Sequence, residues 1–203
     1  MNALRSIQIA LVVAALVSAS VGFAQQPPGQ RVVGAIERVD ETALTIRSDG
    51  GPVKVSLTPN AAVFGVTKAT ISDVKPGAFI GVGAMPQGDG SQRAIQVTIF
   101  AESQRGLGEG HRPWDRAPNS TMTNATVEET VTSVDGQVVM VRYQGGEKKV
   151  VIPSDATILA YSQGDRSDLK AGAHVAIVRA VRKPDGKLEA DRINVGRGGV
   201  IPR

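Results

Sequence analysis

The chain has 203 residues, a formal net charge of +4, no cysteine and only 3% aromatic residues. The lack of cysteine excludes a disulfide framework and a lipoprotein attachment site. Basic and acidic residues nearly balance in both halves of the chain, so the net charge is weak evidence for an anionic partner. Few aromatic side chains are present to stack on bases, and we therefore expect no nucleic-acid partner.

Residues 1–24 have the pattern of a secretory signal peptide. Arg5 supplies the positive start, residues 9–17 form an apolar run, and Gly22 and Ala24 provide the small side chains that signal peptidase reads. The run is shorter than the ~20 residues that span a bilayer. We predict a periplasmic or secreted protein that is not an integral membrane protein, with a mature tail at residues 25–31. Retention of the leader as an uncleaved anchor is the alternative.

The rest of the chain repeats itself with an offset of 95 residues. This offset brings Val39 onto Val134, Gly50 onto Gly145 and Asp73 onto Asp168; after one inserted residue, Ala94 falls on Ala190. Apolar positions keep the same register. We predict two units, residues 32–100 and 125–198, joined by a linker at 101–124 and followed by a tail at 199–203.

Each unit reads as five short strands. Period-two alternation and β-branched residues mark the ranges 32–39, 43–48, 53–57, 79–84 and 94–100, and then 125–134, 138–143, 149–152, 174–182 and 188–195. Both units place a Ser-Asp-apolar-Lys-x-Gly element between the third and fourth strands, where we expect one helical turn whose apolar residue, Val74 or Leu169, plugs a barrel. The prediction is all-β: two tandem five- to six-stranded OB-like barrels. A β-sandwich or an open sheet is the alternative.

The second unit carries further motifs. They are a Val-Asp-Gly hairpin at 134–136, Ala-Thr-Ile at 156–158, Ser-Asp-Leu-Lys-Ala-Gly at 167–172 and Asp-Gly-Lys-Leu-Glu-Ala at 185–190. This pattern resembles a bacterial family of exported small β domains of unknown function. The first unit departs from it, with Glu41 in place of the hairpin glycine and Ala62 in place of the threonine. The resemblance implies a fold and a compartment, but no catalytic residues.

The linker holds the residues that are unusual for this chain. Glu109, His111 and Asp115 are candidate ligands for a divalent metal, while Arg112 and Trp114 are candidates for contact with a ligand or partner. The alternative is a structural strap, with Trp114 packed in the cleft between the barrels. The glycines of the linker do not have the spacing of a phosphate-binding loop.

Catalysis is not expected. The chain has two histidines and no cysteine, and no serine, histidine and acid are spaced as a known triad. We predict no catalytic residues and no cofactor beyond the candidate metal. The function that fits best is a non-enzymatic binding or scaffold module of the cell envelope, with an envelope protein, a glycan or a small ligand as partner. A metal-responsive protein and an unrecognised hydrolase are the alternatives.

Overall fold

The computed structural model describes residues 29–133 and 136–202. This part of the chain is all-β, as predicted, and the predicted signal peptide lies outside it. Its strands are β1 (Gln30–Val39), β2 (Ala43–Ser48), β3 (Gly51–Lys68), β4 (Phe79–Pro86), β5 (Gln92–Ile99), β6 (Gly110–Pro113), β7 (Thr121–Ser133), β8 (Gly136–Tyr143), β9 (Gly146–Pro153), β10 (Thr157–Gln163), β11 (His174–Arg182) and β12 (Leu188–Gly196). Three 3-10 turns are η1 (Ile71–Asp73), η2 (Glu102–Gln104) and η3 (Arg166–Asp168). None of the helical segments described is long and apolar enough to cross a membrane.

Five strands close into a barrel that we call ring A, in the order β1, β2, β3, β12, β11 and back to β1. All neighbours are antiparallel except β3 and β12, which run parallel from the Val55–Leu188 pair to the Val66–Gly196 pair. Closure gives every strand of ring A a hydrogen-bonded neighbour on each side over part of its length, which shortens the edges open to association.

A second set of strands, ring B, follows the same order: β7, β8, β9, β5, β4 and back to β7. Here β5 runs parallel first to β9, at Gln92–Val150, and then to β10, from Gln96–Thr157 to Ile99–Ala160. Strands β9 and β10 therefore act as the two parts of one interrupted strand. Ring B is the counterpart of ring A, with β9 and β10 in the place of β3.

The predicted division of the chain into units at 32–100 and 125–198 does not match the two rings, because each ring contains strands from both units. Ring A combines β1, β2 and β3 with β11 and β12, whereas ring B combines β7 to β10 with β4 and β5. The cause is β3, which was expected to end at residue 57 but continues to Lys68 and leaves ring A. Pro59 suggests a break in the strand. It lies, however, between Leu57 and Ala62, where β3 has no residues paired with β12, so its missing N–H costs no hydrogen bond between strands.

Corresponding pairs recur in the two rings. Val55–Leu188 and Val63–Ile193 in ring A match Val150–Gln92 and Ile158–Val97 in ring B. The first strand needs a correction, however. Ile46 and Val141 are 95 residues apart in the second strands, but their partners Ile36 and Val127 are only 91 apart. The first strands are therefore related by an offset of 91 residues rather than 95. Val134, which the repeat aligned with Val39, lies outside the described residues.

The two rings meet where β3 and β10 pair antiparallel. Val66 pairs with Tyr161, Phe64 with Gln163 and Lys68 with Leu159. In the repeat, residue 161 corresponds to residue 66 and residue 159 to residue 64. Exchanging β3 with β10 therefore gives the same set of residue pairs. The junction thus has an approximate two-fold axis through the Val66–Tyr161 pair.

Each ring has its own apolar core. The ring A core is built around Ile46, Val55, Ile177 and Ile193, and the ring B core around Ile80, Val82, Val141 and Ile152. Both residues expected to act as plugs are buried in a core, Leu169 in that of ring A and Val74 in that of ring B. Each therefore lies in the ring that holds the first three strands of the other unit. Both follow a 3-10 turn, as predicted, but the turns begin at Thr70 and Asp165 rather than at the serines.

The C-terminal tail is part of the junction. Val200 is buried beside Val66 and Leu159, with Tyr161 packed against them. Arg197 anchors the start of the tail, where its guanidinium donates to Asp168 at 2.8 and 3.2 Å. The tail predicted at 199–203 therefore packs against the fold as far as it is described.

Candidate functional site

Residues 101–120 double back over ring B, and we call this segment the strap. After η2 and a glycine turn, β6 pairs antiparallel with β7 from Gly110–Asn124 to Pro113–Thr121. The same residues of β7 pair with β4 on their other side. The strap thus adds a strand in line with β8, which pairs with β7 only from Thr126 onward.

Trp114 lies flat on β4. A Cβ added at Gly83 would lie 2.4 Å from Cζ3 of the indole, so only a glycine allows this close approach. Gly83 faces outward, because its neighbours Val82 and Ala84 belong to the core. Trp114 packs against Gly83 of ring B, and the next residue, Asp115, lies close enough to Arg31 of ring A to act on its charge. Arg116 stacks over the indole at 5.8 Å.

The three candidate metal ligands have different neighbours, and Asp115 is the one that lies near Arg31 of ring A. Glu109 accepts a hydrogen bond from the backbone N–H of Gln144 at 2.9 Å. His111 Nδ1 lies 2.8 Å from the Thr123 hydroxyl, and burial together with the charge of Lys148 lowers the pKa of its imidazole. Within the described residues, no group of three His, Cys, Asp or Glu side chains could hold a metal ion. The sequence suggested convergence because the residues are close in number, but in the structure they lie before, within and after β6 and contact separate neighbours.

Arg112 fastens the strap to itself. Its Nη1 donates to the carbonyl oxygen of Gly108 at 2.8 Å, which closes the glycine turn before β6. Asn124 adds a second tie, because its buried amide donates to the Leu107 carbonyl at 2.9 Å. These contacts, together with the pairing of β6 and β7, attach the strap to ring B.

The equivalent place on ring A is open. Residues 30–33 of β1 correspond to 121–124 of β7 and pair with β11, as β7 pairs with β4. On their other side, no strand of the described chain pairs with them, since β2 joins β1 only from Ala35 onward. Val178 stands where ring B has Gly83, and it is 54% exposed. We call residues 30–33 and the outward side chains around Val178 the open face.

Val33 and Val178 are the apolar side chains of the open face and arginines lie around them, whereas the nearby Ala176 is buried. Val33 pairs with Ala176, and Ala35 pairs with Arg47 of β2. Val32 and Ile36 belong to the core, so Arg31, Val33 and Ala35 point outward with Arg47. Burial lowers the pKa of the Arg31 guanidinium, against the opposing effects of Tyr161 and Asp115. The prediction missed this face, although aligning Gly83 with Val178 at the repeat offset would have indicated it.

One surface depression lies at the β11–β12 hairpin, lined by Ser56, Pro184 and Leu188 among others. Its lysines already have acidic partners within the hairpin. Lys183 lies 2.9 Å from Glu189, and Lys187 lies 2.9 Å from Asp185. The depression is wide open to solvent, and these ion pairs are local, so it is a weaker candidate than the open face.

No protein-family model matches the chain, and no curated protein or solved structure is significantly similar to it. The candidate site therefore depends on the comparison between the two rings of this molecule.

Proposed function

We propose that this protein is an exported, non-enzymatic binding module of the cell envelope, and that ring A presents its open face to a partner. Two OB-like barrels from a duplicated unit would form the scaffold. The leader pattern at residues 1–24 and the resemblance to exported bacterial domains support the compartment. In this proposal ring B has a structural role, because the strap already covers its equivalent face.

The OB-like assignment is supported by strand order and by the position of the helical turns. We number the strands of each unit in chain order. Around both rings the neighbouring strands are then the first, second, third, fifth and fourth, and the third and fifth run parallel. Turns η1 and η3 follow the third strand of each unit. An OB-fold is a five-stranded, partly open Greek-key barrel, and folds of this class present binding surfaces on their outer strands and loops.

The observation that carries the proposal is the difference between two equivalent faces. On ring B, a strand and a tryptophan cover residues 121–124 and Gly83. On ring A, residues 30–33 have no such strand among those described, and Val178 is exposed. Exposed strand edges and apolar side chains at one place are typical of interaction sites, since natural proteins otherwise protect such edges.

Site-specific crosslinking in cells tests the proposal. The chain has no cysteine, so Val178→Cys creates a unique attachment point for a thiol-directed photocrosslinker. Val131→Cys is the matched control, because both valines are 54% exposed and lie in strands, one in each ring. We expect a discrete adduct from position 178 and none of that size from position 131. Equal labelling from both positions, or no adduct from 178, would refute the proposed binding role.

A further inference from the structure

We propose that the partner of the open face is an extended acidic peptide segment that adds to ring A as a strand antiparallel to residues 30–33 of β1. This inference rests on the proposed function and names the chemistry of its partner. Three observations carry it: the strand that covers the equivalent edge of ring B, the arginines around the open face, and the replacement of Gly83 by Val178.

The strap shows what kind of chain fits this edge. In ring B, β6 pairs antiparallel with residues 121–124 through four residue pairs. On its other side the edge of β1 pairs with β11, as β7 pairs with β4, but with a register shift between Gln30 and Val32 that β7 lacks. Both first strands have a bulge where they join the second strand. A second strand can therefore be received in the same position. Main-chain hydrogen bonds would then give affinity, as in other cases of strand addition to a sheet edge.

Charge indicates an acidic segment. Arg31 of β1 takes the place of Met122 in ring B, which adds a positive charge beside the edge, and Asp115 at the end of the strap is an acidic residue close enough to act on that charge. Arg142 of ring B is hydrogen-bonded to Glu128 at both ends of its guanidinium. The counterparts Arg47 and Glu37 are 3.8 Å apart, and the Arg47 side chain is 70% exposed. Cross-strand pairs of opposite charge stabilise a sheet, so carboxylates beside Arg31 and Arg47 are favoured.

Val178 limits the size of the apolar side chain that the partner can place against the open face. The indole of Trp114 rests against Gly83 with no room for a Cβ. A valine fills that volume on ring A, so a tryptophan could not lie equally close to the sheet. The segment is therefore expected to place a smaller aliphatic side chain against Val33 and Val178, between its acidic residues.

A peptide based on the strap provides the probe. Residues 108–116 are synthesised with Arg112→Glu, Trp114→Val and Arg116→Glu, and a second peptide keeps the two arginines but carries the same valine. Each is titrated onto the mature full-length protein by fluorescence anisotropy. We expect the acidic peptide to bind at least tenfold more tightly, and the preference to shrink at high salt because exposed charges are screened.

Two protein variants test the site. Arg31→Gln removes the charge at the edge and should abolish most of the preference for the acidic peptide. Arg38→Gln is the matched control on the same strand, since Arg38 pairs with Asp40 at 3.2 Å beyond the open edge; it should retain the preference. Equal melting temperatures for the variants ensure that any change reflects binding.

Amide hydrogen exchange distinguishes strand addition from loose electrostatic contact. Bound acidic peptide should slow exchange at residues 30–33 and leave residues 121–124 unchanged. Protection elsewhere, equal affinity for both peptides, or dimerisation of the protein through this edge would overturn the inference. A Val178 crosslink in cells together with no charge preference would overturn the acidic partner alone, whereas loss of both results would overturn the proposed function.

Discussion

Rings A and B have the same strand order and corresponding pairs, yet they differ at one face. Ring B is covered by the strap, with Trp114 on Gly83. Ring A leaves the edge of β1 and Val178 open among the described residues. Since the cores are equivalent, core packing cannot explain this difference. In our proposal the covered face of ring B is structural and the open face of ring A binds a partner.

The rings are also interdependent, and this leads to the largest expected effect. A protease site inserted between Pro118 and Asn119 allows the folded protein to be cut after the strap. Each half then supplies strands to both rings, so the halves should remain associated after cleavage. Loss of a linker with an effective concentration on the order of millimolar should lower the apparent stability by about 4 kcal/mol at micromolar protein.

Size-exclusion chromatography and urea unfolding at several concentrations check this outcome. The cut protein should elute as one complex, and its unfolding midpoint should rise with protein concentration. Uncut protein carrying the same insertion is the control. Two separate folded fragments would instead show that each unit folds from contiguous chain, as the sequence alone suggested.

A smaller effect is expected from Trp114→Ala. Full burial of a large apolar side chain is worth about 3 kcal/mol; because Trp114 is only partly buried, we expect a loss of about 1 to 2 kcal/mol. The strap should detach, which would make ring B resemble ring A. Hydrogen exchange at residues 110–113 measures the detachment, and thermal unfolding measures the loss.

Gly83→Ala provides an independent version of this test, because its Cβ would displace the indole from the opposite side of the contact. Both variants should accelerate exchange in β6 and leave β1 unaffected. If β6 stays protected in both, Trp114 does not hold the strap.

The smallest effect concerns the junction. Hydrogen bonds from Arg197 lower the pKa of Asp168 below its ordinary value of 3.8. A carboxyl whose folded pKa is depressed stabilises the protein above its unfolded pKa, and this contribution disappears as the pH falls through the folded pKa. Arg197→Met should therefore cost about 0.5 kcal/mol at neutral pH, since the pair is accessible to solvent.

Urea unfolding at neutral pH and near pH 2 checks the sign, because wild type and variant should become equally stable at the acidic end. Asp73 in ring B is a useful reference. Its lowered pKa comes mainly from hydrogen bonds with Thr70, so it should titrate identically in both proteins. A constant difference at all pH values would assign the effect to packing of the tail instead.

Much of the fold was predictable from local pattern. Alternating apolar residues identified the strands of both units, and the Ser-Asp-apolar-Lys-x-Gly element correctly marked the turns before Val74 and Leu169. Pattern could not identify the exchange of strands between units. An exchanged arrangement and a contiguous one bury the same side chains with the same period, so their sequences look alike.

The candidate site was predicted only in part. The strap hypothesis and the importance of Trp114 followed from the unusual composition of the linker. The expected convergence of Glu109, His111 and Asp115 did not, because strand pairing sends Glu109 to Gln144 and His111 to Thr123. Nothing in the sequence singled out residues 30–33, because whether the edge of a strand is paired depends on which strands lie beside it in the folded protein.

The sequence by itself determined the class of fold and the position of most strands, since these depend on periodicity and turn residues; β6 and β10 were not predicted. Tertiary structure decided which strands share a ring and which face stays open. The physical reason is that a strand pairs with the strands that lie beside it in space. The end of the preceding strand decides where in the molecule the next strand starts. Here β3 continues past Pro59 to Lys68, and that continuation carries the chain from ring A into ring B.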